Sequence, residues 1–573
     1  MYYIMRKVFI ISILLLTTFL TSFAIPAKPG QWTTITLSDG TSVMVQAVGD
    51  EHGHFFQAAD GTAYQMLGDG SFVQANQHEL LSKARFRKSQ SNARRAARQR
   101  QMAPNRVGDF HTLIGEFKGL VILVEYTDVK FKSINTKEKF LDILNTDNYV
   151  SDEGFIGSVK DYFIAQSDSL FTLTFDVVGP VQLAHNMKYY GENDENGYDK
   201  RPGEMIVEGC KAVVDSVNFA DYDWDNDGEV DQVYVIYAGY GEADNSYTKK
   251  NTVWPHEWSL SAAVGHSLNL DGVTIDTYAC GCELSANGVI DGIGTICHEF
   301  SHCLGYPDTY DSAGTNQFGM GSWDVMCNGC YNGNGFCPPN YTAYEKMVVG
   351  WITPIELTTD TLINNLLPTS QRGNAYKLVN SGHSDEYFLI ESRQQDGWDK
   401  NTPGKGLMIS YIDYDEDLWY VNFENSIGNY ADIYGYRPSD QDYDYYHSIN
   451  NDHQRLTFFR ANNKGNSYSA ATDLYPYRNN NSLTPTSKPA STLYHTNANG
   501  KLFMDISVVF ITQNDDGTMS FRTQVEQEPN MISEPKVHTA ASQMFYTLDG
   551  RKLHGKPMSK GLYINNGRKI VVK

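Results

Sequence analysis

The stretch that decides this chain is His298-Glu299-Phe300-Ser301-His302-Cys303-Leu304-Gly305-Tyr306-Pro307-Asp308. Two histidines four apart on a helix face the same way, so both ring nitrogens can reach one ion. Ile293, Ile296, Phe300 and Leu304 recur at helical spacing and predict the face turned to a core. Gly305 predicts the helix stop, where a left-handed residue is needed. Glu299 sits beside both histidines, where a carboxylate can reach a water at the ion. An HExxH pattern alone occurs by chance, but this one continues through Gly305 to a carboxylate at Asp308. A glycine there lets the chain reverse and return a third ligand to the metal. A carboxylate is an acceptable zinc ligand. Glu345, in a possible downstream helix, is the other candidate; the spacing favours Asp308.

Outward from this helix, the pattern predicts a mixed α/β domain over 107–360. The runs 119–126 (GLVILVEY) and 232–238 (QVYVIYA) are continuous and β-branched, as buried strands are, and 158–166 reads as helix. From 361 the pattern becomes strands and turns, as in 386–391 (EYFLIE) and 406–412 (GLMISYI), and predicts an all-β sandwich over 361–537. Residues 25–82 read as a small β-rich module with turns at Ser38-Asp39-Gly40, Ala59-Asp60-Gly61 and Gly68-Asp69-Gly70. Residues 83–106 carry nine basic side chains and no acidic one. That segment is either a solvated helix or a protease-sensitive linker, with Arg94-Arg95, Arg98 and Arg100 as cleavage sites.

Arg6 and Lys7 precede an apolar run over 8–24, with Ser22 and Ala24 as small residues near its end. This predicts a cleaved signal peptide, 1–24, rather than a membrane anchor, and a secreted protein with no transmembrane anchor. A net charge of -22 argues against nucleic acid or an anionic membrane as main partner. Seven of the eight cysteines fall between 280 and 337. In an exported protein this predicts disulfides, whose pairing is not readable. A zinc finger fits poorly, because Cys280/Cys282 and Cys327/Cys330 lack matching spacing.

The pattern HExxHxxGxxD resembles the zinc signature of the metzincins, most of which carry His where Asp308 stands. Met326, in Gly321-Ser322-Trp323-Asp324-Val325-Met326, resembles their Met-turn; alone it would read as an ordinary buried Met. Over roughly 110–420 the chain resembles the M6 metallopeptidases, the immune inhibitor A group. The likeness rests on 119–128 (GLVILVEYTD), 158–163 (SVKDYF), 176–181 (DVVGPV), 231–243 (DQVYVIYAGYGEA) and 254–258 (WPHEW). It continues through 298–311 (HEFSHCLGYPDTYD), 319–326 (GMGSWDVM) and 342–351 (TAYEKMVVGW). The resemblance implies a metzincin-like α/β catalytic domain and a secreted zinc endopeptidase made as a zymogen. It implies zinc on His298, His302 and Asp308, Glu299 as general base, and protein or peptide substrates. Cys297 and Cys303, flanking the histidines, depart from the pattern, as does Asn328, where some metzincins carry a tyrosine.

Asp223, Asp225, Asp227 and Asp231 form a DxDxDGxxD run. Such a loop can wrap calcium, although Tyr234 stands where an EF-hand needs glutamate. A bare acidic turn is the other reading. The N-terminal module has no cysteine, which excludes a cysteine switch within 25–106. Asp50 is the candidate for a carboxylate that blocks the zinc; a folding module without inhibitory contact is the alternative. Residues 538–573 resemble the sorting tails of type IX secretion cargo, implying secretion machinery as a partner and release or attachment at the cell surface. A plain terminal hairpin is the bland reading. Two rival functions remain: a surface adhesion protein on a peptidase-like scaffold, and a zinc hydrolase acting on a non-peptide bond.

Overall fold

The central sheet grows from a strand that is apolar on both faces. In Gly115–Glu125, Val121 and Leu123 point into one core and Leu120, Ile122 and Val124 into another. A strand buried on both sides needs this unbroken apolar run rather than alternation. A computed structural model describes residues 27–28, 31–50, 53–67, 71–77, 80, 113–194, 199–245, 251–439, 443–465, 468–526, 545–553, 555–565 and 568–573. The expected signal peptide and the basic linker lie outside them.

Five strands make the central sheet, in the spatial order Phe171–Gln182, Gly115–Glu125, Val233–Tyr240, Thr277–Leu284, His256–Ser259. The first four are parallel, with Val121 opposite Val177 and Ile122 opposite Val235. His256–Ser259 is an antiparallel edge strand, with Trp258 opposite Tyr278. The helix Pro202–Val213 covers one face through Met205, Ile206, Cys210 and Val213. The helices Val159–Gln166 and Gly294–His302 cover the other.

The N-terminal module is a five-stranded sheet in sequence order. Successive residues of Gly53–Ala58 face opposite ways: Phe56 enters the module's own core with Ile35, Val45 and Phe72. Phe55 packs in one cluster with Tyr310, Met320 and Trp323.

Beyond 351 a five-stranded sheet and a three-stranded sheet share one apolar core, including Phe388, Ile390, Ile409, Val508 and Phe521. The region expected to be all-β also carries the helices Glu416–Tyr420, Tyr430–Tyr434 and Tyr443–Ser448. Their aromatic residues pack into the same cluster as the Gly294–His302 helix, which is why they are not exposed turns. Residues up to Val525 form one compact unit. Glu526–Lys573 form a second, which contains a four-stranded antiparallel sheet. Among the described residues no helix is long and apolar enough to cross a membrane.

The expectation of disulfides fails. All eight cysteines are buried thiols. Cys303 Sγ lies 3.0 Å from Gln232 Oε1, and Cys337 Sγ 3.2 Å from the Trp398 carbonyl. Burial pushes Cys210 and Cys327 up to about 12 and Cys337 to about 11, so none of these is a ready thiolate.

Candidate metal centre

The helix Gly294–His302 rests on the sheet through Phe300, whose ring meets Phe175 edge-on at 5.1 Å and stacks on Tyr234 at 5.9 Å. Its first residue must be glycine. A Cβ on Gly294 would stand 1.8 Å from the Cys330 carbonyl oxygen.

His298 and His302 emerge one turn apart, with ring centroids 4.9 Å apart and planes perpendicular. Nδ1 of His298 lies 2.8 Å from the Val325 carbonyl and Nδ1 of His302 lies 2.9 Å from the Tyr306 carbonyl. A carbonyl can only accept, so Nδ1 carries a proton and Nε2 is the ring atom left to face a ligand. Both Nε2 atoms face Asp308 Oδ1, at 3.3 and 3.4 Å. Gly305 makes this return possible: its φ is +93°, and its N–H donates to the His302 carbonyl at 2.9 Å.

Zinc fits these residues. Bonds of about 2.0 Å in a tetrahedral shell put donors about 3.3 Å apart. Nε2 of His298 is fully buried and has no hydrogen-bond partner, a costly arrangement for a polar atom meant for nothing. Burial alone would push His298 down, but Asp308 and Glu299 outweigh it and raise its pKa to about 9. Glu299 is buried beside the histidines, with a carboxylate oxygen within 4.8 Å of their ring nitrogens.

Asp308 is oriented by a residue that sequence reading missed. Asn422 donates its amide N–H to Asp308 Oδ2 at 2.6 Å and accepts the Asp308 backbone N–H at 2.9 Å. The same loop grips the chain beyond Asp308. Asn425 donates to the Thr309 carbonyl, and Ser426 bonds Asp311 Oδ1 and the Ala313 N–H. No motif marks Asn422; only its φ of +53°, a conformation asparagine tolerates, fits its type.

Glu345 is not part of the cluster. Its Oε2 accepts the Thr342 N–H at 2.6 Å in a capping box, and burial next to Asp324 pushes its pKa well up. Met326 is fully buried; its carbonyl accepts the Thr309 N–H at 2.8 Å, one residue beyond Asp308. Asp223, Asp225 and Asp231 converge, with carboxylate oxygens within 4.8 Å of one another. Asp227 stands apart from that group: its Oδ1 accepts the Glu229 N–H at 2.8 Å. Asp50 ends the strand Ser42–Asp50, and the placement of its side chain lies outside the described residues.

Residues 115–351 match the family model described as immune inhibitor A peptidase M6, catalytic domain. Immune inhibitor A of Bacillus thuringiensis subsp. alesti is 27% identical over 294 residues, covering 43% of this chain and 42% of that protein. Pre-pro-metalloprotease PrtV of Vibrio cholerae serotype O1 (strain M66-2) is 22% identical over 289 residues, covering 43% of this chain and 31% of that protein. The match thus spans less than half the length of these curated relatives. Asn422 lies beyond the family match.

Proposed function

We propose that this chain, whose residues 115–351 match the model of the M6 peptidase catalytic domain, is a secreted zinc endopeptidase made as an inactive precursor. The observation that carries the reading is the convergence of two histidine Nε2 atoms on one Asp308 oxygen, with Glu299 alongside.

His298, His302 and Asp308 would hold zinc. When bound, zinc supplies a Lewis acid that polarises the scissile carbonyl and acidifies a water. Glu299 then takes the water's proton on its carboxylate and passes it to the departing amine nitrogen. The Val325 and Tyr306 carbonyls keep both imidazoles in the one tautomer that can ligate. Met326, buried in the same apolar cluster as Phe300 of the HExxH helix, is the proposed Met-turn residue, and four parallel strands with one antiparallel edge strand are compatible with a metzincin-like domain.

The expected division is a signal peptide (1–24), a propeptide (25–106), a catalytic domain (107–360), a β-sandwich (361–537) and a sorting tail (538–573). The packing of Phe55 against Met320 and Trp323 supports latency. So does the His54 ring, stacked on Trp254 at 4.5 Å with Nε2 3.2 Å from Glu242. Asp223, Asp225 and Asp231 are the proposed calcium ligands; a melting temperature unmoved by calcium would remove that assignment.

The decisive test is Glu299→Ala in purified protein. Zinc content should stay at the wild-type level while chelator-sensitive peptide cleavage falls at least about 100-fold. Retained cleavage would reject the mechanism.

A further inference from the structure

A second set of imidazoles gathers well away in sequence from the HExxH helix. His383 opens the strand His383–Arg393, and Asp413 ends the antiparallel strand beside it, Gly406–Asp413. His495 comes from a loop that is tied to the same sheet. Its backbone N–H donates to Glu386 Oε2 at 3.1 Å, and the Tyr494 N–H donates to Glu386 Oε1 at 2.6 Å. Glu386 is fully buried and stands directly opposite Asp413 in the ladder. The backbone of the loop carrying His495 is thus anchored beside Asp413.

We propose that His383, His495 and Asp413 form a second zinc site, which staples this loop to the ends of the two strands. His495 Nε2 lies 3.2 Å from Asp413 Oδ2, and His383 Nε2 lies 3.8 Å from Asp413 Oδ1. The two rings are 3.9 Å apart, and one donor atom from each of the three residues falls within 4.8 Å of the others. These separations bracket the roughly 3.3 Å edge of a tetrahedral zinc shell.

The second observation is Asp413 itself. Its side chain is fully buried, and Oδ1 has no hydrogen-bond partner. Oδ2 is already engaged, with Arg455 Nη1 at 2.7 Å and His453 Nε2 at 3.1 Å. Arg455 thus balances the carboxylate without covering Oδ1. His453 faces Oδ2 rather than Oδ1 and is held by further partners: Nδ1 lies 2.6 Å from Asp452, Nε2 also lies 3.2 Å from the Tyr411 hydroxyl, and its ring stacks on Tyr494 at 3.4 Å. Two imidazoles and one carboxylate suit zinc; calcium takes oxygen ligands. The His383 and His495 side chains are 37% and 42% exposed, so solvent can supply the fourth ligand.

The test is zinc stoichiometry of the full chain, stripped of metal and titrated against a chromophoric chelator. The wild type should bind two tight equivalents. His383→Ala and His495→Ala should each bind one, with peptidase activity unchanged and the zinc-dependent rise in melting temperature reduced. Alanine at these half-exposed positions leaves the backbone bonds to Glu386 in place; His383→Gln serves as a second variant that keeps the bulk. One equivalent in the wild type, or two in both alanine variants, would overturn the proposal. His298→Ala separates the two centres: it should also bind one equivalent, the one lost in His383→Ala.

Discussion

Replacing Asn422 by glycine should weaken zinc binding 10- to 100-fold without touching a ligand. The side chain makes two bonds to Asp308, one of 2.6 Å to the carboxylate and one of 2.9 Å from the backbone N–H. Both residues are buried, so water does not replace what is removed. A hydrogen bond to a charged group contributes about 1.5–3 kcal/mol. The share that holds the carboxylate towards the histidines is expressed in metal affinity. An orienting partner of this kind is worth about 10- to 100-fold, or about 1.4–2.8 kcal/mol. Glycine is chosen over alanine because φ at Asn422 is +53°. Alanine there would add roughly 1–2 kcal/mol of backbone strain and confuse the readings. Zinc affinity is read by chelator competition, and cleavage is then measured at saturating zinc. A zinc dissociation constant within twofold of wild type, with loss only in the melting temperature of the metal-free protein, would refute the positioning role.

Two further outcomes follow from the packing and charge. Phe55→Asp places a charge in the contact between the N-terminal sheet and the Met320–Trp323 segment; it should raise the activity of the uncleaved chain, and unchanged latency would count against an inhibitory module. Glu153 is held at about 2, chiefly by its hydrogen bond with Lys139 and then by Ser151. Its folded pKa lies below the unfolded value of 4.5, so the stabilisation is present above 4.5 and is lost as pH falls through 2. The pair faces solvent in part, so Lys139→Met should cost less than about 1 kcal/mol at pH 7, shrinking towards pH 2, in urea unfolding followed by circular dichroism.

Local periodicity and ligand spacing carry one part of this protein's architecture. The HExxH helix with its apolar face, the left-handed Gly305 and a buried strand at 119–126, which spans 115–125 in the structure, are legible because each depends on residues a few positions apart. Tertiary structure decided what depends on distant partners. Asp308 meets the histidines at 3.3 and 3.4 Å, whereas Glu345 is spent on its own helix cap. In the acidic loop, Asp227 Oδ1 accepts the Glu229 N–H, while Asp223, Asp225 and Asp231 converge. All eight cysteines are buried free thiols, which spacing along the chain does not reveal. Asn422 stands 114 positions from the carboxylate it orients, and His383, Asp413 and His495 come from two strands and a loop. No local pattern encodes such contacts. They exist only once the sheets stack and exclude the water that would otherwise satisfy the same groups.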